Sequence, residues 1–238
     1  RMRYRAINSC IQFLPTLDGK ALITVESLRR GPGGALHPVQ QAIADGHGSQ
    51  CGFCTPGFVM SLFGLYKTDP SPDRVAVNDA IAGNLCRYTG YRPIVDAAGA
   101  MYALGRALPA DAQGWIEAPA GSKSRAAKAA EAALARQLSG LRRRKGLALS
   151  HASGTFHAPR TSAELAALRA RLPDARILAG GTDVGLWVTK QHRQLGDIIY
   201  LGNVAELATI NESADAIDVG AAVTLTDAST RPRSPSST

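Results

Sequence analysis

Gln50-Cys51-Gly52-Phe53-Cys54-Thr55-Pro56-Gly57-Phe58, with Gly83-Asn84-Leu85-Cys86-Arg87-Tyr88-Thr89-Gly90-Tyr91-Arg92-Pro93 further along, decides the fold of the first half of this chain. Each stretch brings cysteine up to a proline in the first turn of a helical pattern, where the missing proline N–H costs nothing. After Pro56, the residues Phe58, Val59, Leu62, Phe63 and Tyr66 recur at helical spacing and predict a helix that stops before Pro70 and Pro72. Pro93 opens another, with Ile94, Ala97, Ala98, Met101 and Leu104 on one face. Between them Asp73 is a candidate cap for a helix through Ala82, and Pro38 opens an earlier one that ends at Gly46 and Gly48. The spacing of 35 residues between Cys51 and Cys86 leaves room for one helical hairpin, which returns both cysteine elements to the same end of a four-helix module. Soft thiolates in such a place suit zinc, copper(I) or an iron–sulfur cluster.

Two cysteine elements in this form resemble the second [2Fe-2S] module of the molybdenum hydroxylases, the xanthine dehydrogenase family. There the pattern reads C-G-x-C and then G-N-L-C-R-C-T-G-Y-R-P, with four cysteines on two irons. The resemblance assigns Cys51, Cys54 and Cys86 to that cluster and puts Tyr88 in the place of the fourth ligand. A phenol is a harder and bulkier donor than a thiolate and holds its proton to about pH 10 in water. Gln50, beside the first cysteine, is the position that approaches molybdopterin in the family. A zinc site of His47, Cys51, Cys54 and Cys86 is the rival chemistry, since one histidine with three cysteines is an accepted zinc set.

Ala6-Ile7-Asn8-Ser9-Cys10 with Leu14-Pro15 and Gly19 is similar to the end of a plant-type ferredoxin domain, whose last cysteine would be Cys10. The other three cysteines of such a domain are absent from the sequence, so the resemblance implies an incomplete copy. Short strand-like stretches, Met2 to Ile7 and Ala21 to Val25, flank the turn-forming Asp18-Gly19.

Beyond Ala107 the character of the chain changes. Between Lys123 and Lys145 stand eight basic residues against one acid, Glu131, which accounts for nearly all of the net charge of +8. A basic run without interleaved aromatics is a solvated face before it is a nucleic-acid site, and no nucleic-acid partner is expected. Ala127, Ala130, Leu134 and Leu138 make a weak helical stripe, so 107–155 is read as a loosely packed linker containing one helix. The second domain is expected from Phe156. Thr161-Ser162-Ala163-Glu164 has the form of a capping box ahead of Leu165, Leu168 and Leu172. Strand candidates follow at Ile177 to Ala179, Asp197 to Leu201 and Ala216 to Val219.

Ile177 to Lys190 contains Gly180-Gly181-Thr182-Asp183, a loop in which two glycines let successive N–H groups turn toward an anion. With Phe156-His157-Ala158-Pro159 before it and Asp197-Ile198-Ile199-Tyr200-Leu201 after it, the stretch resembles the pyrophosphate loop of the FAD domain of the same family. That resemblance implies Leu178, Ala179, Gly180, Gly181, Thr182, Asp183 and Val184 as flavin-binding positions.

The fold class expected is therefore α+β: a ferredoxin-like β-rich remnant (1–34), the four-helix [2Fe-2S] module (35–106), the basic linker (107–155) and the first part of an α/β, PCMH-type FAD domain (156–238). No apolar run reaches the roughly 18 residues of a membrane span. Four cysteines without a secretory context suggest a reducing, cytoplasmic compartment. By resemblance the function is electron transfer in a xanthine dehydrogenase, from purine oxidation at a molybdopterin-binding large subunit through [2Fe-2S] to FAD and NAD. No nucleophile–base constellation for substrate chemistry occurs in the chain. The alternative is a non-enzymatic, truncated remnant with incomplete cluster and flavin sites, an expectation that also takes the Pro/Ser-rich end from Arg231 as a disordered tail.

Overall fold

The structure, a computed structural model, describes residues 2–29, 34–109, 112–213 and 215–229. The Pro/Ser-rich end from Arg231 lies outside the described residues. The chain divides into two compact units: residues 1–6 with 21–140, and residues 7–20 with 141–238.

In the first unit the helices are α1 (Pro38–Asp45), α2 (Thr55–Thr68), α3 (Arg74–Ile81), α4 (Arg92–Ala107) and α5 (Arg125–Leu141). Their starts are local: Asp73 accepts a hydrogen bond from the Ala76 N–H at 2.7 Å, and α1, α2 and α4 each carry proline in the first turn. Helix α1 packs against α4 and α2, and α2 against α3. Phe58, Leu62 and Tyr66 of α2, Ile94 and Met101 of α4, and Val39 of α1 are fully buried in one cluster. Each such side chain contributes about 1.5–3 kcal/mol relative to exposure.

The stretch after α4 departs from the sequence reading. Instead of packing loosely, residues 115–120 are strapped onto α2. Tyr66 donates to the Glu117 carbonyl at 2.6 Å, Ala120 N–H to the Tyr66 carbonyl at 2.8 Å, and the Lys67 ammonium to the Ala118 and Trp115 carbonyls. His37 completes the strap, its Nε2 lying 3.1 Å from the Ile116 carbonyl. Lys67 and His37 are both buried, and burial lowers the pKa of each, that of His37 to about 4.

The strand-like stretches expected at Met2 to Ile7 and Ala21 to Val25 do not form strands; residues 14–17 and 25–28 are single 3-10 turns. An extended segment becomes a strand only when a neighbour takes up its N–H and C=O groups, and neither stretch is in a sheet.

In the second unit the strands are β1 (Leu147–His151), β2 (Gly154–Ala158), β3 (Arg176–Leu178) and β4 (Ile198–Tyr200), in sheet order β1-β2-β4-β3. The β1–β2 hairpin is antiparallel, with Leu149 opposite Phe156, while β4 runs parallel to both β2 and β3. β1 falls inside the stretch read as linker: the basic composition before it masks its Leu147/Leu149 alternation. Helix α6 (Ser162–Arg171) is capped as expected, with Thr161 accepting from the Glu164 N–H and the Glu164 carboxylate accepting from the Arg160 N–H. Helix α7 (Val184–Thr189) follows β3, a small hairpin pairs β5 (Ile210–Glu212) with β6 (Ile217–Val219), and α8 (Leu225–Ser229) ends the described chain. Leu147, Phe156, Ala158, Leu178 and Ile198 form the core of this unit.

Candidate cluster and flavin sites

Cys54 is the residue that caps α2, and Cys86 lies in the loop between α3 and α4, so the hairpin does bring the two cysteine elements to one end of the helices. Cys51, Cys54, Cys86 and Tyr88 line one cavity of about 600 Å³, together with Phe53, Leu85, Arg87 and Tyr91. Cys51 is exposed at the edge of this cavity.

The loop holding Cys86 is fixed by its neighbours. The Tyr91 N–H donates to the Thr89 hydroxyl at 3.2 Å, and that hydroxyl donates to the Cys86 sulfur at 3.0 Å. The Thr89 N–H points to the same sulfur at 3.4 Å, and the Cys86 N–H donates to the Tyr91 phenol oxygen at 2.9 Å. Gly90 at φ 68° and Tyr91 at φ 66° both take the left-handed conformation that this tight winding needs. The Tyr91 ring meets Phe58 edge-on at 6.0 Å, which anchors the strained residue to α2. Asn84 anchors the start of the loop by donating to Ser61 at 2.7 Å. Hydrogen bonds from Thr89 pull the Cys86 thiol down to about 7, while burial and the neighbouring Cys86 push Cys54 up.

The donor set meets a [2Fe-2S] centre in three positions of four. Three thiols share the cavity; at the fourth place Tyr88 is 63% exposed. Among the described residues no group of three or more His, Cys, Asp and Glu side chains closes to metal-binding separation, so the thiols line the cavity without converging on one point. The His47-containing zinc set finds no such group either; His47 is an exposed residue at φ 54° in the turn after α1. Gln50 donates to the Tyr88 carbonyl at 3.3 Å and so ties the two cysteine elements together. Cys10 belongs to the second unit, where its thiol donates to Asn8 at 3.0 Å.

Sequence reasoning found the cysteines and missed Asn84, Thr89 and Tyr91 as the residues that shape their loop. All three lie within the quoted motif, but their partners Ser61 and Phe58 are brought near only by the packing of α2.

In the second unit, Leu178 ends β3 in the core, and Ala179, Gly180, Thr182 and Asp183 are exposed in the loop that leads to Val184 and α7. Gly181 has φ 91°, and a side chain there would press on Phe13 at 3.4 Å. Among the described residues, the N–H groups of Gly180 to Asp183 donate to no protein acceptor. A loop that presents unpaired N–H groups and no side chain at Gly180 or Gly181 is chemically suited to a phosphate.

Residues 24–99 match the family described as "[2Fe-2S] binding domain", and residues 150–236 the family described as "FAD binding domain in molybdopterin dehydrogenase". Xanthine dehydrogenase of Emericella nidulans is 31% identical over 95% of this chain and 18% of its own length. Xanthine dehydrogenase 1 of Arabidopsis thaliana is 33% identical over 93% of this chain and 19% of its own length, and aldehyde oxidase 2 of Cavia porcellus is 33% identical over 94% and 19%. A shorter part, 35% of this chain, matches 51% of a chain of quinoline 2-oxidoreductase from Pseudomonas putida 86 at 38% identity, with a TM-score of 0.32. The chain thus spans about a fifth of the length of the curated relatives it matches.

Iron–sulfur and flavin domains in this order define a portion of a redox flavoprotein. The chain carries the match to a [2Fe-2S] binding domain followed by the match to the FAD binding domain of molybdopterin dehydrogenases, and over more than nine tenths of its length it is similar to the matching part of xanthine dehydrogenases.

Proposed function

We propose that this chain is the electron-transfer portion of a molybdenum-dependent xanthine dehydrogenase, carrying electrons from purine oxidation on a molybdopterin-binding partner toward FAD and NAD. The observation that carries the reading is the arrangement of Cys51, Cys54 and Cys86 on one cavity, with the Thr89 hydroxyl donating to Cys86. In this reading residues 1–34 correspond to a ferredoxin end that includes Cys10, 35–106 to the cluster module, 107–155 to a connecting segment and 156–238 to the first part of the flavin domain.

When bound, the [2Fe-2S] group supplies one-electron storage and FAD links it to two-electron acceptors. Cys51, Cys54 and Cys86 would hold the cluster, with Tyr88 at the fourth position. Thr89 donates to the Cys86 sulfur and favours its thiolate, the form a soft metal takes, while the Tyr91 phenol oxygen holds the Cys86 N–H. Phe53, Leu85 and Tyr88, which are 95%, 84% and 63% exposed, form an apolar rim that we assign to the molybdopterin-binding partner, with Gln50 beside it. In the flavin part, the N–H groups of Gly180, Gly181, Thr182 and Asp183 would receive the pyrophosphate between Leu178-Ala179 and Val184. Each neutral hydrogen bond contributes about 0.5–1.5 kcal/mol net.

Tyr88 favours the second reading, a family member that has lost its cluster and serves as a binding piece. Anaerobic reconstitution with iron and sulfide, followed by flavin titration, separates the two. Visible absorbance with a paramagnetic signal on reduction, together with saturable FAD fluorescence quenching, supports the electron-transfer reading. A colourless protein that leaves flavin unquenched supports the second.

A further inference from the structure

Trp187, in α7, has two guanidinium groups on its one indole. Arg176 of β3 lies 5.3 Å from the ring centroid, and Arg193, beyond α7, lies 4.5 Å from it. The main chain holds both in place: the Arg176 N–H donates to the Asp197 carbonyl at 2.7 Å and the Arg193 N–H to the Trp187 carbonyl at 2.9 Å. At those ring distances the two charges stand no further apart than a screening length, about 10 Å at 0.1 M salt, so each feels the other. The indole attracts both cations and offsets part of their repulsion. Other arginines of this unit are taken up by the protein: Arg143 pairs with Asp18 at 3.0 Å, and Arg169 donates to the Ala175 carbonyl at 3.1 Å. Among the described residues no carboxylate and no hydrogen-bond acceptor takes the side chain of Arg176 or Arg193, and both are exposed. Their forks of N–H donors face solvent.

The surroundings of this stack are aliphatic. Helix α7 reads Val184-Gly185-Leu186-Trp187-Val188-Thr189, with no charged residue on any side, yet only Gly185 is buried. Leu186 and Val188 are exposed, and so is Ile177, next to Arg176 on β3, an edge strand of the sheet. Lys190, at the end of α7, adds a third exposed cation. Arginine and tryptophan amid exposed apolar side chains have the composition of a binding hot spot. The ring is offered to cations rather than to a base, and its neighbours are aliphatic, which favours a protein over a nucleic acid. We propose that Arg176, Trp187 and Arg193 form a docking site for an acidic segment of a partner protein. Carboxylates of that segment take the two guanidinium forks, and its apolar side chains cover Ile177, Leu186 and Val188. Docking relieves the repulsion between the arginines and adds charge-assisted hydrogen bonds. The site uses side chains rather than the N–H groups of the Gly180–Asp183 loop, and it stands whether or not iron or flavin is bound.

Trp115 and Trp187 are the two tryptophans of the chain, so in Trp115→Phe the indole emission reports Trp187 alone. The full chain with that change, free of iron and flavin, is titrated with a capped hexapeptide of alternating glutamate and leucine and with its glutamine–leucine counterpart. Inorganic phosphate and a single-stranded RNA hexamer are titrated in parallel. The glutamate peptide should change the Trp187 emission saturably, and its affinity should fall at least tenfold between about 50 mM and about 300 mM salt. The glutamine peptide should leave the emission unchanged. Arg176→Gln and Arg193→Gln should each weaken the glutamate peptide about tenfold, the loss of one charge-assisted hydrogen bond, with the helical signal retained. The two indole N–H resonances of the natural chain give the same readout by NMR, so the test does not depend on Trp115→Phe folding. No response to the glutamate peptide, equal binding of the glutamine peptide, or undiminished affinity in either arginine variant overturns the proposal. Tighter binding of phosphate or of RNA than of the glutamate peptide overturns it as well.

Discussion

The helical unit and the sheet unit are similar in length, yet among the described residues the first gathers seventeen buried apolar side chains into one cluster and the second five. The difference shows in what each can hold still. Around Cys86, a left-handed Tyr91 and an Asn84 amide are pinned to a helix whose own face is fully buried, and the Thr89 hydroxyl ties Cys86 to Tyr91. The Gly180–Asp183 loop stands on three-residue strands and a six-residue helix, with its N–H groups unpaired. Rigid placement suits thiols that need fixed mutual geometry, whereas a phosphate loop needs mainly available donors. Local opening follows buried contact density, so the sheet unit should exchange its amide hydrogens and yield to protease first.

The largest effect should come from adding one methyl to each unit. At Gly105 in α4 a Cβ would overlap the hydroxyl of the buried Tyr66, which also holds the Glu117 carbonyl. Gly105→Ala should cost about 3 kcal/mol in urea unfolding followed by helical signal. At Gly185 in α7 a Cβ would lie 2.5 Å from the Ile11 carbonyl oxygen and 2.8 Å from its Cβ. Gly185→Ala should cost about 2 kcal/mol, and its thinner surroundings should absorb part of the overlap. A larger loss at Gly185 would break the contrast between the units.

A comparable effect is expected from acid in the helical unit. Burial holds His37 at about 4, below the 6.5 of an unperturbed imidazole. As pH falls below 6.5 the unfolded chain takes up a proton that the folded chain refuses. The contribution is complete above pH 6.5, declines below it and is lost by about pH 4, a change of roughly 3 kcal/mol. Chemical unfolding across that window should show this slope, and His37→Asn should flatten it.

A smaller effect probes the thiol loop itself. A Cβ at Gly57 would stand 2.6 Å from the Asn84 side-chain oxygen, on an amide already held by Ser61. Gly57→Ala should cost about 1 kcal/mol in stability but loosen the loop enough to speed alkylation of Cys86 several-fold. Unchanged alkylation would mean that Asn84 does not govern the loop.

What was legible in the sequence follows from the range of the forces involved. Helix starts at Pro38, Asp73, Pro93 and Thr161 are signalled within one turn, and all fall where the sequence places them. Strands are not local objects: Met2 to Ile7 has strand character but joins no sheet among the described residues, whereas β1 hides in basic, linker-like composition and forms because β2 pairs with it. The site divides in the same way. Cysteines announce themselves by spacing, but the strap from Lys67 and Tyr66 to residues 115–120 depends on main-chain carbonyls that no side-chain pattern reveals.

The central claim is that this cavity is a three-thiol site whose fourth ligand position is filled by Tyr88. Reconstituting the natural chain and Tyr88→Cys side by side under anaerobic conditions, with iron, sulfide and reduced-state paramagnetic signal measured per chain, tests it directly. The account predicts a stable [2Fe-2S] centre in Tyr88→Cys and a weaker, air-labile one in the natural chain. Equal cluster content and equal stability in air for both proteins would contradict it.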